Sequence, residues 1–105
     1  MSIYQKYCHE ICDENGNLKK LTLDYPANFN FGYDVVDIVA EQTSDKRAMV
    51  WCNVEGEEQI FTFSDIKKYS NKMANVFLNA GIGRGDRVML ILKRHYEYWF
   101  AAVAL

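Results

Sequence analysis

Residues 62–92, TFSDIKKYSNKMANVFLNAGIGRGDRVMLIL, decide the fold of this chain. Thr62 and Asp65 have the form of a capping box, in which the hydroxyl and the carboxylate each accept a hydrogen bond from the other residue's amide. Gly81 suits the left-handed position just beyond a helix end. The predicted helix over 63–80 carries one apolar face at helical spacing, made of Ile66, Tyr69, Met73, Val76, Phe77 and Ala80.

Strands are predicted on both sides of this helix. The β-branched and aromatic content of 48–54 and 59–62, with a Gly-containing turn over 55–58, indicates a β-hairpin. The five apolar residues of 88–92 do not alternate with polar ones, which is typical of a strand covered on both faces. Strand, helix and strand over 59–92 then predict a right-handed βαβ crossover. The predicted fold class is α/β, with a β-hairpin and a βαβ unit flanked by helices.

The N-terminal third is predicted to be a helix followed by a connector. Ser2 is a suitable N-cap for a helix that reaches Ile11, and the polar segment 13–17 around Gly16 stops it. Residues 18–31 show no clear period and are interpreted as a connector containing Pro26. The connector is expected to be pinned by Leu21, Leu23, Phe29 and Phe31.

A second helix is predicted over 33–43 and a last one from Tyr96. Residues 99–105 of that last helix are apolar nearly all round, as in helices from the middle of a protein. We therefore expect these 105 residues to be the front of something longer. The predicted organisation is an N-terminal helix and connector over 1–31, then the truncated start of a large domain over 32–105.

Composition excludes several classes of protein. Twelve Lys and Arg against fourteen Asp and Glu give a net charge of −2, which excludes a strongly basic nucleic-acid binder and a polybasic membrane anchor. Residues 1–60 carry a net −6 and residues 61–105 a net +4, so we expect charge complementarity between these halves or with a partner. No run approaches the roughly 18 apolar residues of a membrane span. Without a signal-peptide pattern, and with three cysteines, the default prediction is a cytoplasmic location.

Two motifs resemble binding sites, but their context in the sequence favours structural roles for both. The run Gly81–Asp86 is Gly-rich, yet it follows a helix and precedes a predicted strand, which is the reverse of a phosphate-binding loop. We predict a turn whose amides Asp86 caps. Cys8 and Cys12 would lie on one helix face, but zinc needs two more ligands. Small apolar positions are the favoured interpretation of both thiols.

The cationic run Lys93-Arg94-His95 follows the predicted strand 88–92, where ligands bind in open α/β sheets. An anion contact and a solvated connection are both consistent with that place. Lys67, Lys68 and Lys72 are expected to be solvated. The aromatic residues 96 and 98–100 suggest ligand stacking, although core packing is the commoner role. No nucleophile and base pair emerges, so no catalytic, cofactor-binding or metal-ligating residue is predicted.

Taken together, these segments resemble the N-terminal region of the AMP-forming acyl-CoA synthetases, in the adenylate-forming ligase superfamily. The likeness covers about residues 28–105. Upstream, 29–37 and 49–51 are similar to the medium-chain acyl-CoA and acetyl-CoA synthetase branch, whereas 93–96 lack the Pro that many members carry there. The stretches that carry the likeness are Thr62–Ile66, Asn71, Ala74, Asn75, Phe77 and Gly81–Val88.

The resemblance implies a two-step ligase that uses ATP, Mg²⁺ and coenzyme A. A carboxylic acid would become an acyl-adenylate, and coenzyme A would then displace AMP. The family's phosphate loop, pockets and catalytic Lys all lie downstream of residue 105, so the resemblance implies a scaffold that is inactive alone and holds no cofactor. The alternative is a stand-alone small α/β binding or regulatory module. We also expect the isolated chain to self-associate, through helix 96–105 or the edge beside 88–92.

Overall fold

Two antiparallel β-hairpins and several helices make up the part of the chain that the structure describes, residues 2–105. The structure, a computed structural model, divides into one unit that ends at Asn30 and another that spans Phe31–Leu105. The predicted mixed α/β class is therefore confirmed. None of the helices formed by residues 2–105 combines the length and the apolarity that crossing a bilayer requires.

The first unit is a hairpin that follows a single helical turn. A 3₁₀ turn occupies Ile3–Lys6, and strand β1 (Cys8–Cys12) pairs with strand β2 (Leu18–Leu23). The predicted start at Ser2 is confirmed, because its amide donates to Gln5 Oε1 at 2.8 Å. The predicted helix to Ile11 and the irregular connector from residue 18 are both wrong. Each strand satisfies its backbone groups on the other, which the local spacing of apolar residues does not reveal.

The turn between β1 and β2 is built on Asp13, as the polar segment 13–17 predicted. The Asp13 carboxylate accepts hydrogen bonds from the amides of Asn15 and Asn17, both at 2.9 Å. Gly16 supplies the positive φ of +81° that the turn requires. The hydrogen bonds from Asn17, its backbone amide above all, hold the pKa of Asp13 below its ordinary value, because they favour the charged carboxylate.

The second unit contains the remaining elements. A helix with wide π turns over Gly32–Asp37 continues as α1 (Ile38–Gln42), which confirms the predicted helix over 33–43. Strand β3 (Arg47–Cys52) pairs with β4 (Glu58–Thr62), and this confirms the predicted hairpin. Helix α2 spans Phe63–Asn79 and helix α3 spans Glu97–Ala104, close to their predicted positions.

Both ends of α2 have the caps that the sequence predicted. Thr62 Oγ1 accepts from the Asp65 amide at 3.2 Å, and Asp65 Oδ2 accepts from the Thr62 amide at 2.9 Å. At the other end the Gly81 amide donates to the carbonyl of Leu78, and the Ile82 amide donates to that of Phe77. This pair of bonds is a Schellman motif, with Gly81 at the left-handed position.

Replacing the N-cap tests how much this local signal contributes. Thr62→Ala should lower the free energy of unfolding by about 1 kcal/mol, because the Asp65 amide at the start of α2 loses the hydroxyl to which it donates. Urea unfolding followed by circular dichroism measures the change. Thr62→Ser keeps the hydroxyl and serves as the matched control. Equal unfolding midpoints for the alanine variant and the unchanged chain would contradict the cap assignment.

A small core holds the second unit together. Phe61 from β4 and Phe100 from α3 meet with ring centroids 5.3 Å apart, and Tyr96 packs on Phe61 at 4.9 Å. Val36, from the helix over Gly32–Asp37, and Ile66, from α2, complete the buried cluster. The predicted apolar face of α2 is only partly buried, since Val76 and Ala80 remain exposed.

An ion-pair cluster links α1 and α2. Lys67 Nζ lies 2.8 Å from Glu41 Oε1 and 3.7 Å from Asp37 Oδ2. The hydrogen bond to Glu41, with smaller effects of both carboxylates' charges, raises the pKa of Lys67 above its ordinary value. The expected complementarity between the acidic first sixty residues and the basic remainder is seen at this cluster, so Lys67 is not simply a solvated side chain.

The predicted βαβ unit does not form. Residues 88–92 have no strand pairing, and all strands of the described chain belong to the two antiparallel hairpins. Met89 is 82% exposed and Ile91 84% exposed. A strand of a parallel sheet needs a neighbour at its edge and layers on both faces, and residues 2–105 supply neither to this segment.

Candidate functional site

The second unit carries an apolar groove between α2 and α3, which we call the α2–α3 groove. Its volume is about 400 Å³. The Tyr69 ring stacks on Phe100 at 4.9 Å, and Lys68 and Lys72 hold their ammonium groups 5.8 and 5.7 Å from the Tyr69 ring. Both lysines are exposed, as predicted, and they also lie near the face of this aromatic ring. The groove is lined by Gln59, Phe61, Tyr69, Lys72, Met73, Val76, Tyr96, Glu97 and Phe100.

A second depression, the Trp51 pocket, lies where β3 meets the start of α3. Its volume is about 340 Å³. Trp51 Nε1 donates to the carbonyl of Arg94, whose φ of +26° turns the chain at this point. The bond ties the cationic run to the hairpin and places two of its three side chains beside aromatic rings. The pocket is lined by Trp51, Cys52, Leu92, Arg94, His95, Tyr98 and Trp99.

Part of the Trp51 pocket can be recognised from the amino-acid sequence. Arg94 and His95 stand out in the sequence for their place after a predicted strand, and the structure gives them an aromatic setting. That they contact an anion stays a prediction. Trp51 was not predicted to join them, because only its place in a hairpin strand is visible in the sequence and its partner is 43 residues away. Tyr96 and Phe100 pack in the core, whereas Trp99 is 56% exposed.

The glycine-rich turn over 81–86 is structural, as predicted. The Gly83 amide donates to Asp86 Oδ2 at 2.7 Å, and the Asp86 amide donates to the Gly83 carbonyl at 3.1 Å. A carboxylate thus occupies the amide that a phosphate would need, and its negative charge repels a second anion. Asp86 therefore caps this turn, and that the run binds no phosphate stays a prediction.

Metal-binding side chains are not brought together by the described residues. Cys8 and Cys12 lie on strand β1 rather than on the predicted helix face, and both are free thiols. Over residues 2–105, no three His, Cys, Asp or Glu side chains are grouped to hold a metal ion. That the chain contains no catalytic, cofactor-binding or metal-ligating residue stays a prediction.

Comparison with known proteins identifies the family. The profile of the family described as AMP-binding enzyme matches residues 36–105, two thirds of the chain. Acyl-coenzyme A synthetase ACSM2, mitochondrial, of Rattus norvegicus is 37% identical over an alignment of 99 positions, which covers 83% of this chain and 17% of that protein. Acyl-coenzyme A synthetase ACSM3, mitochondrial, of Homo sapiens is 40% identical over an alignment of 92 positions, which covers 78% of this chain and 15% of that protein.

These relatives correct one prediction and support another. They are mitochondrial by name, so the default prediction of a cytoplasmic location is wrong. The chain spans only 15–17% of the length of these relatives. The predicted resemblance to the AMP-forming synthetases is confirmed, since the matched region contains the capped helix α2 and the Gly81–Asp86 turn that carried it. The chain therefore belongs to the AMP-binding enzyme family, in its acyl-coenzyme A synthetase branch.

Proposed function

We propose that the protein to which this chain belongs activates a short- or medium-chain carboxylic acid with ATP and transfers the acyl group to coenzyme A. The match of residues 36–105 to the AMP-binding enzymes carries this proposal. The synthetase relatives, at 37–40% identity, support the choice of acid–thiol ligation over other adenylate chemistry. Because the chain spans so small a share of these relatives, the activity is assigned to the whole protein and not to these residues.

The proposed reaction has two balanced steps. A carboxylate oxygen attacks the α-phosphorus of ATP and pyrophosphate leaves. The thiol of coenzyme A then attacks the acyl carbon, loses its proton, and AMP leaves. The first step concentrates negative charge on phosphorus, so its site needs converging cations and backbone donors, with Mg²⁺ as the natural metal.

We propose that the 105 residues contribute scaffold rather than chemistry. The Gly83 amide is already used by Asp86, and the Trp51 pocket offers one permanently charged cation, Arg94, beside His95. The isolated chain should therefore neither bind ATP tightly nor release pyrophosphate. We further propose 32–105 as the start of the AMP-binding domain and 1–31 as a separate leading segment. The unit boundary after Asn30 and the family match from residue 36 support this division.

We also propose that the isolated chain self-associates. Support comes from the large apolar side chains that the second unit leaves exposed. Exposed apolar residues scattered singly are normal on a monomer, whereas larger groups of them favour association. These side chains include Val76, Leu78, Met89, Ile91, Trp99 and Leu105.

Two assays test the ligase proposal. The full-length protein should release pyrophosphate when given ATP, Mg²⁺ and an acid from a panel running from acetate to octanoate and aryl acids. It should form a thioester only after coenzyme A is added, and reactions without acid are the control. A full-length protein inert toward the whole panel would overturn the synthetase proposal. Calorimetry of the 105-residue chain with ATP tests the scaffold proposal, and micromolar binding would overturn it.

A further inference from the structure

Arg94 has a backbone conformation that its own side chain disfavours. Among residues 2–105 it is the one residue other than glycine with a positive φ, at +26°. In the left-handed region the Cβ of an L-residue approaches a backbone carbonyl oxygen, so such a residue persists only where surrounding contacts hold it. Contacts, and not local preference, therefore set the backbone at Arg94. The other positive φ values of residues 2–105 all fall on glycine, at Gly16, Gly56, Gly81 and Gly85.

Trp51 on strand β3 supplies contacts on both sides of this bend. Its Nε1 donates to the Arg94 carbonyl, and its ring meets the Tyr96 ring edge to face, with the centroids 5.3 Å apart. Arg94 and Tyr96 are the neighbours of His95, so one indole contacts the chain before and after that residue. Tyr96 also packs on Phe61 at 4.9 Å, which links the bend to the core of the second unit. A side chain 43 residues away thus holds the bend in place.

Two opposing effects of similar size act on Arg94. The strain of the left-handed conformation favours a return to negative φ, whereas the hydrogen bond from Trp51 favours the bend, and each effect is of the same order in free energy. The bond is exposed, so water competes for both the indole N–H and the carbonyl. The bent and the relaxed conformations therefore differ little in free energy, and the loss of one contact is enough to exchange them.

We propose that residues 93–95, which we call the 93–95 latch, have a closed and an open state controlled by Trp51. In the closed state, which the structure shows, Arg94 is left-handed and its carbonyl accepts the hydrogen bond from Trp51. In the open state Arg94 has a negative φ and its carbonyl accepts from water instead. Both groups of this bond lie within residues 36–105, and the latch depends neither on the self-association nor on the ligase reaction proposed above.

The latch controls the start of α3 and the position of two side chains. The Tyr98 amide donates to the His95 carbonyl at 3.2 Å. The Trp99 amide donates to the Tyr96 carbonyl at 3.1 Å. These bonds belong to the first turn of α3, which follows the bend directly. In the closed state Arg94 and His95 line the Trp51 pocket, so opening frays the first turn of α3 and withdraws both side chains from that pocket.

Hydrogen exchange of the full-length protein, followed by mass spectrometry, tests the latch. Trp51→Phe keeps an aromatic ring on β3 but removes the N–H donor, so the Tyr98 and Trp99 amides should exchange about threefold to tenfold faster. Amides of the β3–β4 hairpin and of α2 should keep their rates. Trp99→Phe changes the other indole of the same pocket, and as the matched control it should leave the Tyr98 amide unchanged. Unchanged exchange in Trp51→Phe would overturn the latch, and so would equal acceleration throughout the second unit.

Two substitutions of Arg94 separate backbone strain from the loss of charge. Arg94→Val and Arg94→Asn both remove the guanidinium, but valine disfavours the left-handed region and asparagine tolerates it. With Trp51 intact, Arg94→Val should accelerate exchange in the first turn of α3 about threefold or more, whereas Arg94→Asn should not. Arg94→Asn should also restore slower exchange to the Trp51→Phe variant. Equal exchange in the valine and asparagine variants would overturn the latch, and a full-length protein inert as a ligase would leave both measurements unaffected.

Discussion

Phe100→Ala should lower the free energy of unfolding of the second unit by about 3–5 kcal/mol, the usual range for removing a buried aromatic ring. Phe100 is 5% exposed, and its ring lies 4.9 Å from Tyr69 and 5.3 Å from Phe61, centroid to centroid. It is the α3 residue in the buried core cluster, against which Val103 of the same helix also packs. Its removal therefore leaves a cavity between α3, β4 and α2.

Urea unfolding at low protein concentration measures this loss. Trp99→Ala is the matched control, because Trp99 is a larger ring on the same helix but is 56% exposed, and its loss should amount to about 1 kcal/mol or less. Phe100→Leu keeps most of the volume and should fall between the two, so the comparison survives if the alanine variant does not fold. Equal losses for positions 99 and 100 would contradict the place of Phe100 in the core.

Elements that the sequence located correctly are those whose signals are local. Thr62, Asp65 and Gly81 define both ends of α2 through hydrogen bonds between residues at most five apart. The β3–β4 hairpin is readable because its strands are rich in strand-forming residues and its turn is short. In both cases, the physical interactions that form the element lie within the window that the pattern covers.

The errors occur where partners distant in sequence decide the structure. The spacing of Tyr4, Tyr7, Cys8 and Ile11 fits a helix, yet pairing with Leu18–Leu23 makes Cys8–Cys12 a strand. The prediction of a strand over 88–92 depends on composition alone. The structure shows that composition does not produce a strand until a second strand offers hydrogen bonds.

The candidate site divides in the same way. The Gly81–Asp86 turn is correctly predicted to be capped by Asp86, because the residues that form the cap lie within a few positions of one another. The Trp51 pocket is not predictable as a unit, since it depends on a hydrogen bond between Trp51 and Arg94 that spans 43 residues. Family membership, in contrast, depends on short motifs, and residues 62–88 carry enough of them to indicate the synthetases from the amino-acid sequence alone.

Gly81→Val should lower the free energy of unfolding by about 2 kcal/mol. The φ of Gly81 is +82°, a conformation that costs an L-residue about 1–2 kcal/mol and a β-branched residue more. A Cβ at this position would have no atom within 4 Å, so steric contacts with the rest of the chain do not contribute. The expected loss is therefore the backbone strain of the Schellman position alone, and it should appear as fraying of the C-terminal turn of α2.

The neighbouring glycine supplies the control for this prediction. Gly83 does not have a positive φ, and a Cβ there would meet only Asp86 Oδ2 at an ordinary 3.9 Å. Gly83→Val should therefore change the unfolding midpoint much less than Gly81→Val, although both add the same side chain to the same turn. Gly81→Asn should lie close to the unchanged chain, because Asn tolerates the left-handed region. If valine is equally harmful at positions 81 and 83, the loss comes from side-chain bulk in the turn and not from the helix cap.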